Sequence, residues 1–558
     1  MRISGPECEK RDAGTREKGK MRKEQGRRLV RNWRLELLCG MAGAGILCVG
    51  KSIYETTNFD GIAQRPLAYL LLWLAGAVLT AVLLYGFDRL LGILGGIPQW
   101  RKGRAFLDRK AAFWILGVLL LAVYGFCYLS YFPGTYTYDA PPQTYQAYGR
   151  DPLNTHHPVL HTLFWAVCLR VGARLSGGTE AGGLVVYSVC QILFVVAVTM
   201  FAVYWIYKAT RNVYATLAAY LYYLLTPMLQ LMSFSLTKDI LFSCFLLLFC
   251  MSLVQAVKHP EGRNLSAVFG TGLLASLFRN NMVYVVMLAL IMAFVLRYRP
   301  KLRLVLLGVI LVYYAIMKIL FPAAGVQEGE KSEAFPAVLI QLSGVYVNAP
   351  EVLDEEEKEI LLSYMPDADA FNRHLADYVK STFNNSYYEE DPETFWTTYF
   401  RILAKAPVEC LCLFLDLNVD YWYPGAVVPD PYSARRYIET DTLEREIYWV
   451  DNAGLLPDVH NFYEKVADHD CWFMELPVLR YFYSLAFPFV SMMVCLYLML
   501  RHKRKEGILV FTVLIGLFLT FILGPVSNFR YVYGYYLAFP LYFCIAAGKT
   551  PKEEIGKK

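Results

Sequence analysis

An all-α membrane protein with about twelve transmembrane helices is what this sequence predicts, on three observations. Of its 558 residues, 56% are hydrophobic and only 18% charged, against roughly a quarter charged in soluble globular domains. Uncharged apolar runs of about membrane-crossing length recur along the chain. The short linkers between those runs alternate in charge. The same figures exclude a disordered chain, a disulfide-scaffold secreted domain and an ordinary soluble enzyme.

Taken in order, the elements begin with residues 1–34, which carry twelve Lys or Arg. The apolar stretch after them lacks a small-residue cleavage signature, so they read as a basic cytoplasmic tail before a first anchor. Spans are expected at Leu35–Tyr54, Leu67–Phe87, Ala111–Phe132, Ala181–Tyr207, Asn212–Thr237 and Ile240–Val257. Six more are expected at Leu265–Phe278, Met282–Leu296, Leu304–Phe321, Tyr481–Leu500, Gly507–Phe529 and Tyr531–Gly548. The short pair Leu265–Phe278 and Met282–Leu296 also admits a re-entrant hairpin. Val159–Leu175 and Ile402–Leu415 are interrupted by charges and read as interfacial helices.

With the N-terminus cytoplasmic, the N-terminal tail and six short basic segments place 33 of the 54 basic residues on one side. The chain then divides into a membrane module over 35–321 with a first outer loop at 133–180, and an extracytoplasmic domain over 322–476. C-terminal transmembrane helices over 477–548 and a cytoplasmic tail over 549–558 complete it. Segment 322–476 holds 30 of the 48 acidic residues and ten basic ones, a charge normal for a translocated block. Most of the thirteen cysteines lie in apolar runs and show neither a disulfide framework nor zinc-type spacing.

Chemistry is expected where ionisable side chains sit at the outer ends of spans. Asp139 lies in an aromatic, proline-rich turn beside Tyr136, Tyr138 and Tyr145. Such a carboxylate can be desolvated into a general base, or can merely start a turn. His156 and His157 follow, and His157 and His161 share a helical face. That spacing suits a substrate contact, a structural role, or a divalent metal with no third ligand at a diagnostic distance. Lys238 and Asp239, Arg279, and Arg530 each mark an outer turn. Cations there oppose the general trend, so a phosphate or a carboxylate partner such as Asp139 or Asp239 should compensate them. Arg279, after a short run, is expected deepest and is ranked above Arg530 as a phosphate ligand.

The order aromatic-Pro-Gly, Asp139, Gln143, His157-Pro158 and Thr237-Lys238-Asp239 resembles membrane glycosyltransferases of the GT-C superfamily. It is most similar to an allied family of bacterial multi-pass proteins of unknown function. Phe335-Pro336 with Gln341, and Pro407 with Tyr421-Trp422-Tyr423-Pro424, resemble further marks of that family. The resemblance implies interfacial, jaw-like helices in the first outer loop and a polyprenyl-phosphate sugar as donor. It also implies transfer to a cell-envelope glycan, lipid or protein on the extracytoplasmic face, with Asp139 as the base. A transporter or flippase, and a polymerase or ligase of lipid-linked intermediates, are the competing expectations. No nucleic acid partner is expected.

Overall fold

In a computed structural model, residues 33–177, 180–426, 436–440, 447–451, 454–468 and 470–548 are described. The N-terminal tail and the last ten residues, each expected to be cytoplasmic, lie outside them. The protein is an all-α membrane protein, and among the described residues seven helices are long and apolar enough to cross a bilayer. These are Trp33–Thr56, Pro66–Leu94, Lys110–Ser130, Val159–Ser176, Glu180–Thr210, Lys238–Lys258 and Pro300–Ala323. Val213–Leu225, Met282–Val295, Phe487–Arg501 and Ile508–Phe521 are shorter apolar helices.

The chain separates into two compact units. The first takes Met1–Ile97 with Tyr497–Lys503, and the second takes Pro98–Leu496 with Arg504–Lys558. In the first, Gly40 allows the Trp33–Thr56 and Pro66–Leu94 helices to touch, since a Cβ there would overlap the Ala77 carbonyl oxygen. Buried Glu36 is bonded by Arg501 and by the Tyr497 hydroxyl (3.0 Å), and Asp88 accepts from Arg501 and His502 at 2.7 Å each. Charge inside this apolar unit is therefore paired, as burial demands.

Two elements of the second unit differ from the sequence reading. The run Asn212–Thr237 is not one helix: Val213–Leu225 stops at Thr226, Pro227–Met232 restarts, and an extended Ser235–Leu236 follows. Pro227 has no N–H to donate and restricts Thr226 to an extended conformation. The Gln230 side chain recovers the freed Leu224 carbonyl at 2.7 Å. Val159–Ser176 is one continuous helix among the seven of crossing length, although its charges suggested an interfacial one. His161 is turned into the protein, and Gly172 packs so closely on Gly182 that a Cβ would overlap its backbone.

Strands are few, and they place the site. Thr135–Tyr136 (β1) pairs in parallel with Ser235–Leu236 (β2) and antiparallel with Arg436–Thr440 (β3), which pairs with Ile447–Asp451 (β4). Parallel pairing in register Thr135↔Ser235 and Tyr136↔Leu236 sends both strands toward the same end, so the turns that follow them emerge side by side.

Segment 322–476 contains a helical core around Phe335, whose ring lies 5.2–5.6 Å from those of Phe383, Tyr388, Phe395 and Trp396. Gln341 is used structurally: its amide donates to the Cys410 carbonyl (2.8 Å) and its oxygen accepts from Tyr399 (2.8 Å). The end of the Pro407–Leu417 helix clamps the last turn before Arg530. Asn418 donates to the Ile522 carbonyl (3.3 Å), Tyr421 donates to the Val526 carbonyl (3.1 Å) and the Asn528 amide donates to Tyr421 (2.9 Å).

Beneath that clamp lie two buried carboxylates. Asp416 accepts from Arg373 at 2.6 Å, and Asp420 follows four residues later. Burial, and then the neighbouring Asp416 charge, push Asp420 up to about 6. In an unfolded chain it would titrate near about 3.9. Between those values the folded state binds the extra proton, so stability falls as pH rises from about 4 to about 6. Asp420→Asn removes that loss: in thermal unfolding in detergent, its stability relative to wild type should be greater at pH 7.5 than at pH 4.5. Equal differences at the two pH values would show that Asp420 titrates as an ordinary surface carboxylate.

Candidate functional site

Asp139, Lys238 and Arg530 are assembled by three separate pieces of chain. Asp139 stands three residues beyond β1 and Lys238 two beyond β2, so the strand pair delivers both. Side chains weld the pair: the Thr135 and Ser235 hydroxyls are 2.8 Å apart, and Thr137 donates to the Leu236 carbonyl at 3.1 Å. Arg530 arrives on the helix Phe529–Ala547, whose first turn is capped by Asn528 accepting from the Arg530 amide (3.0 Å). One carboxylate oxygen, Asp139 Oδ2, accepts from Lys238 Nζ at 2.7 Å and from Arg530 Nη1 at 2.9 Å. The three side chains keep 17%, 17% and 13% of their surface exposed.

The electrostatics of this cluster are unusual. Lys238 is the first residue of the Lys238–Lys258 helix and Arg530 the second of its own. Both cations therefore sit at the positive end of a helix dipole, an unfavourable place by about 0.3–1 kcal/mol each. Burial opposes ionisation of Asp139, but the Arg530 guanidinium and Lys238 ammonium outweigh it and hold the carboxyl well below the usual range. His157 is buried and its Nδ1 lies 3.4 Å from Lys238 Nζ. Burial and the Lys238 charge push its pKa down, leaving a neutral ring facing the ammonium.

Arg279 and Asp239 form a second pair beside the first, linked by a direct ion pair with Asp239 fully buried. The Thr237 hydroxyl also donates to Asp239 (3.1 Å). Rings of Phe521, Tyr531 and Phe242 surround the Arg279 guanidinium at 4.6, 5.0 and 5.5 Å. Arg279 is the C-cap of the Gly262–Phe278 helix, where a cation is favoured. Its charge is thus met by Asp239, the helix end and three rings, although its Nε has no hydrogen-bond partner among the described residues. Arg530 has Asp139 and the Tyr531 ring and hydroxyl, but at the unfavourable end of its helix. His156 stands apart, with Nδ1 3.6 Å from Glu333 and its ring edge-on to His157.

Sequence reasoning missed a buried polar chain that fixes both halves of the cluster. The Gln143 amide donates to the Asp139 carbonyl (3.1 Å), and its oxygen meets His161 Nδ1 at 2.5 Å. His161 Nε2 meets the Tyr187 hydroxyl at 2.8 Å, which donates to Gln191 Oε1 at 2.7 Å. The Gln191 amide then donates to the Ser233 (3.0 Å) and Ser235 (2.8 Å) carbonyls, next to β2. The i, i+4 spacing of Asp139 and Gln143 was the available signal. Both ring nitrogens of His161 are thereby occupied, so His157 and His161 do not form a ligand pair. Among the described residues, no three His, Cys, Asp or Glu side chains group as a metal ion would require.

Removing Arg279 should expose its role. Arg279→Met leaves Asp239 buried without a counter-charge, a loss typically worth about 3–5 kcal/mol. Thermal unfolding in detergent should show a large drop for Arg279→Met and recovery in Arg279→Met/Asp239→Leu. An equally unstable double variant would mean that the guanidinium supports the fold through the aromatic rings instead.

No curated protein and no solved structure matches the chain. A family model matches residues 149–558, which include Lys238, Arg279 and Arg530 and begin ten residues after Asp139. The chain belongs to that family, described as a family of unknown function (DUF6020).

Proposed function

We propose that the protein is a GT-C-type glycosyltransferase that moves a sugar from a polyprenyl-phosphate donor to an acceptor on the extracytoplasmic face of a membrane. One observation carries the reading: two cations, each in the first turn of a helix, converge on a single carboxylate. Such helix ends bind phosphate through free amides and the dipole, and the motif likeness to GT-C enzymes points to the same donor.

The mechanism assigns each group a task. The donor phosphate engages Lys238 and Arg530, drawing them from Asp139 and raising the basicity of its carboxylate. Asp139 accepts the proton of the acceptor hydroxyl, and the acceptor oxygen attacks the anomeric carbon from the face opposite the phosphate. The carbon–oxygen bond to phosphate breaks, and the electron pair leaves on a polyprenyl phosphate stabilised by both cations. His157, neutral, holds Lys238 in place. Arg279 and Asp239 brace the Lys238 turn, so Arg530 ranks above Arg279 as a phosphate ligand.

The topology that serves this reaction keeps Val159–Ser176 at the outer surface and counts the broken run Asn212–Thr237 as one crossing, giving twelve spans, both termini cytoplasmic and residues 322–476 outside. Reporters fused at Gly325 and Lys505 should then give opposite sides. The variant Asn281→Cys, in a cysteine-free background, should react with an impermeant thiol reagent from outside. Reporters on the same side would end the twelve-span arrangement, and a thiol at position 281 that fails to react would make Gly262–Phe278 and Met282–Val295 a re-entrant hairpin.

Asp139→Asn separates base from scaffold. Transfer should fall about a hundredfold or more, while affinity for a short-chain polyprenyl phosphate should rise, because the carboxylate that competes for Lys238 and Arg530 is gone. Near-normal transfer would reduce Asp139 to a turn residue, and weaker binding would show that it does not compete with phosphate.

A further inference from the structure

Lys110, at the start of the Lys110–Ser130 helix, is separated from the Asp139 end by 21 residues of helix, about 30 Å. There the short Arg101–Leu107 helix lies between spans. Arg101, Lys102, Arg104, Arg109 and Lys110 are exposed, and among the described residues they make no ion pair. Lys208 and Arg211, at the end of the Glu180–Thr210 helix, add two more exposed cations. The one carboxylate among them, Asp108, is taken by Arg211 (3.2 Å) and by the Tyr207 hydroxyl (2.7 Å).

This segment is built rather than trailing. Tyr214 donates to the Pro98 carbonyl (3.2 Å), and Gln99 accepts from the Val213 amide (2.8 Å). Tyr207 also reaches the Arg104 carbonyl at 3.4 Å. The Trp100 ring is seated on Gly103, where a Cβ would overlap it. Yet Trp100 and Phe106 remain 51% and 39% exposed. The positive-inside trend accounts for cations in such a linker and by itself asks for no ligand. Here, in addition, Arg101, Lys102 and Arg104 sit on a separate short helix whose segment is pinned to the Glu180–Thr210 and Val213–Leu225 helices, with aromatic side chains exposed beside them.

We propose that this platform binds acidic phospholipid headgroups, with Trp100 and Phe106 entering the acyl boundary beneath them. Clustered cations next to a span supply the charge complement to an anionic leaflet. Exposed aromatic side chains supply the apolar half of the contact, which a free anion would not use. The proposal is independent of the reaction at Asp139.

The test uses the full-length protein in neutral detergent, titrated with short-chain phosphatidylglycerol or phosphatidylcholine and followed by thermal unfolding. Phosphatidylglycerol should raise the midpoint at concentrations where phosphatidylcholine does not. Arg101→Gln/Lys102→Gln/Arg104→Gln should need roughly a hundredfold more of it, from the usual contribution of each surface cation. High salt should abolish the preference of the wild-type protein, a result that needs no variant. Equal responses to the two lipids, an unchanged triple variant, or the same shift from inorganic phosphate at matching concentration would each overturn the proposal.

Discussion

Oδ2 of Asp139 is the point on which the membrane-facing architecture closes. Lys238 and Arg530 occupy the first turns of two helices, where the dipole of each disfavours a positive charge. Without an anion between them, two cations within reach of one atom would repel each other in a partly dehydrated setting. The carboxylate cancels both effects at once. Arg279 poses no such problem, because its helix end, Asp239 and three aromatic rings all favour it. The same residue type therefore stands at opposite helix poles: the dipole favours Arg279 and disfavours Arg530, which depends on Asp139 instead.

The convergence on Asp139 depends on geometry enforced by its neighbours. Two-residue strands are too short to hold a register by themselves, and a ladder this brief needs side-chain support. The Gln143–His161–Tyr187–Gln191 chain provides it, tying the Asp139 carbonyl to those of Ser233 and Ser235 through buried, directional contacts. Each link is costly to break in a low-dielectric interior, since the abandoned partner has no water to turn to.

Much of this was legible in the sequence, and the physical basis of the rest explains why it was not. Apolar runs announced the membrane helices because lipid forces every backbone group into internal hydrogen bonds. Asp139, Lys238, Asp239, Arg279 and Arg530 stood out as charges at helix ends. Their pairing did not, because β1 and β2 are short, lie a hundred residues apart and carry no alternation to read. The break at Thr226 was signalled by Pro227 but masked by the continuous apolar run around it. His161 looked like half of a metal pair until the positions of Gln143 and Tyr187 used both of its nitrogens. The aromatic cage of Arg279 is drawn from three helices, a convergence that no local pattern reports.

The parallel pairing of β1 with β2, and the return of the chain to both at Arg530, also order the assembly of the molecule in time. Synthesis runs from the N-terminus, and domains gather as their parts emerge. Asp139 and Lys238 can meet once β2 has been made, but their arginine partner is carried by the far later helix Phe529–Ala547. Until Arg530 is made, Asp139 and Lys238 can form only a one-to-one ion pair, and the net positive charge of the cluster comes with Arg530. A chain cut short before Phe529 would therefore lack the second cation of the cluster. The charge of the site is thus set by the last helix of the described chain.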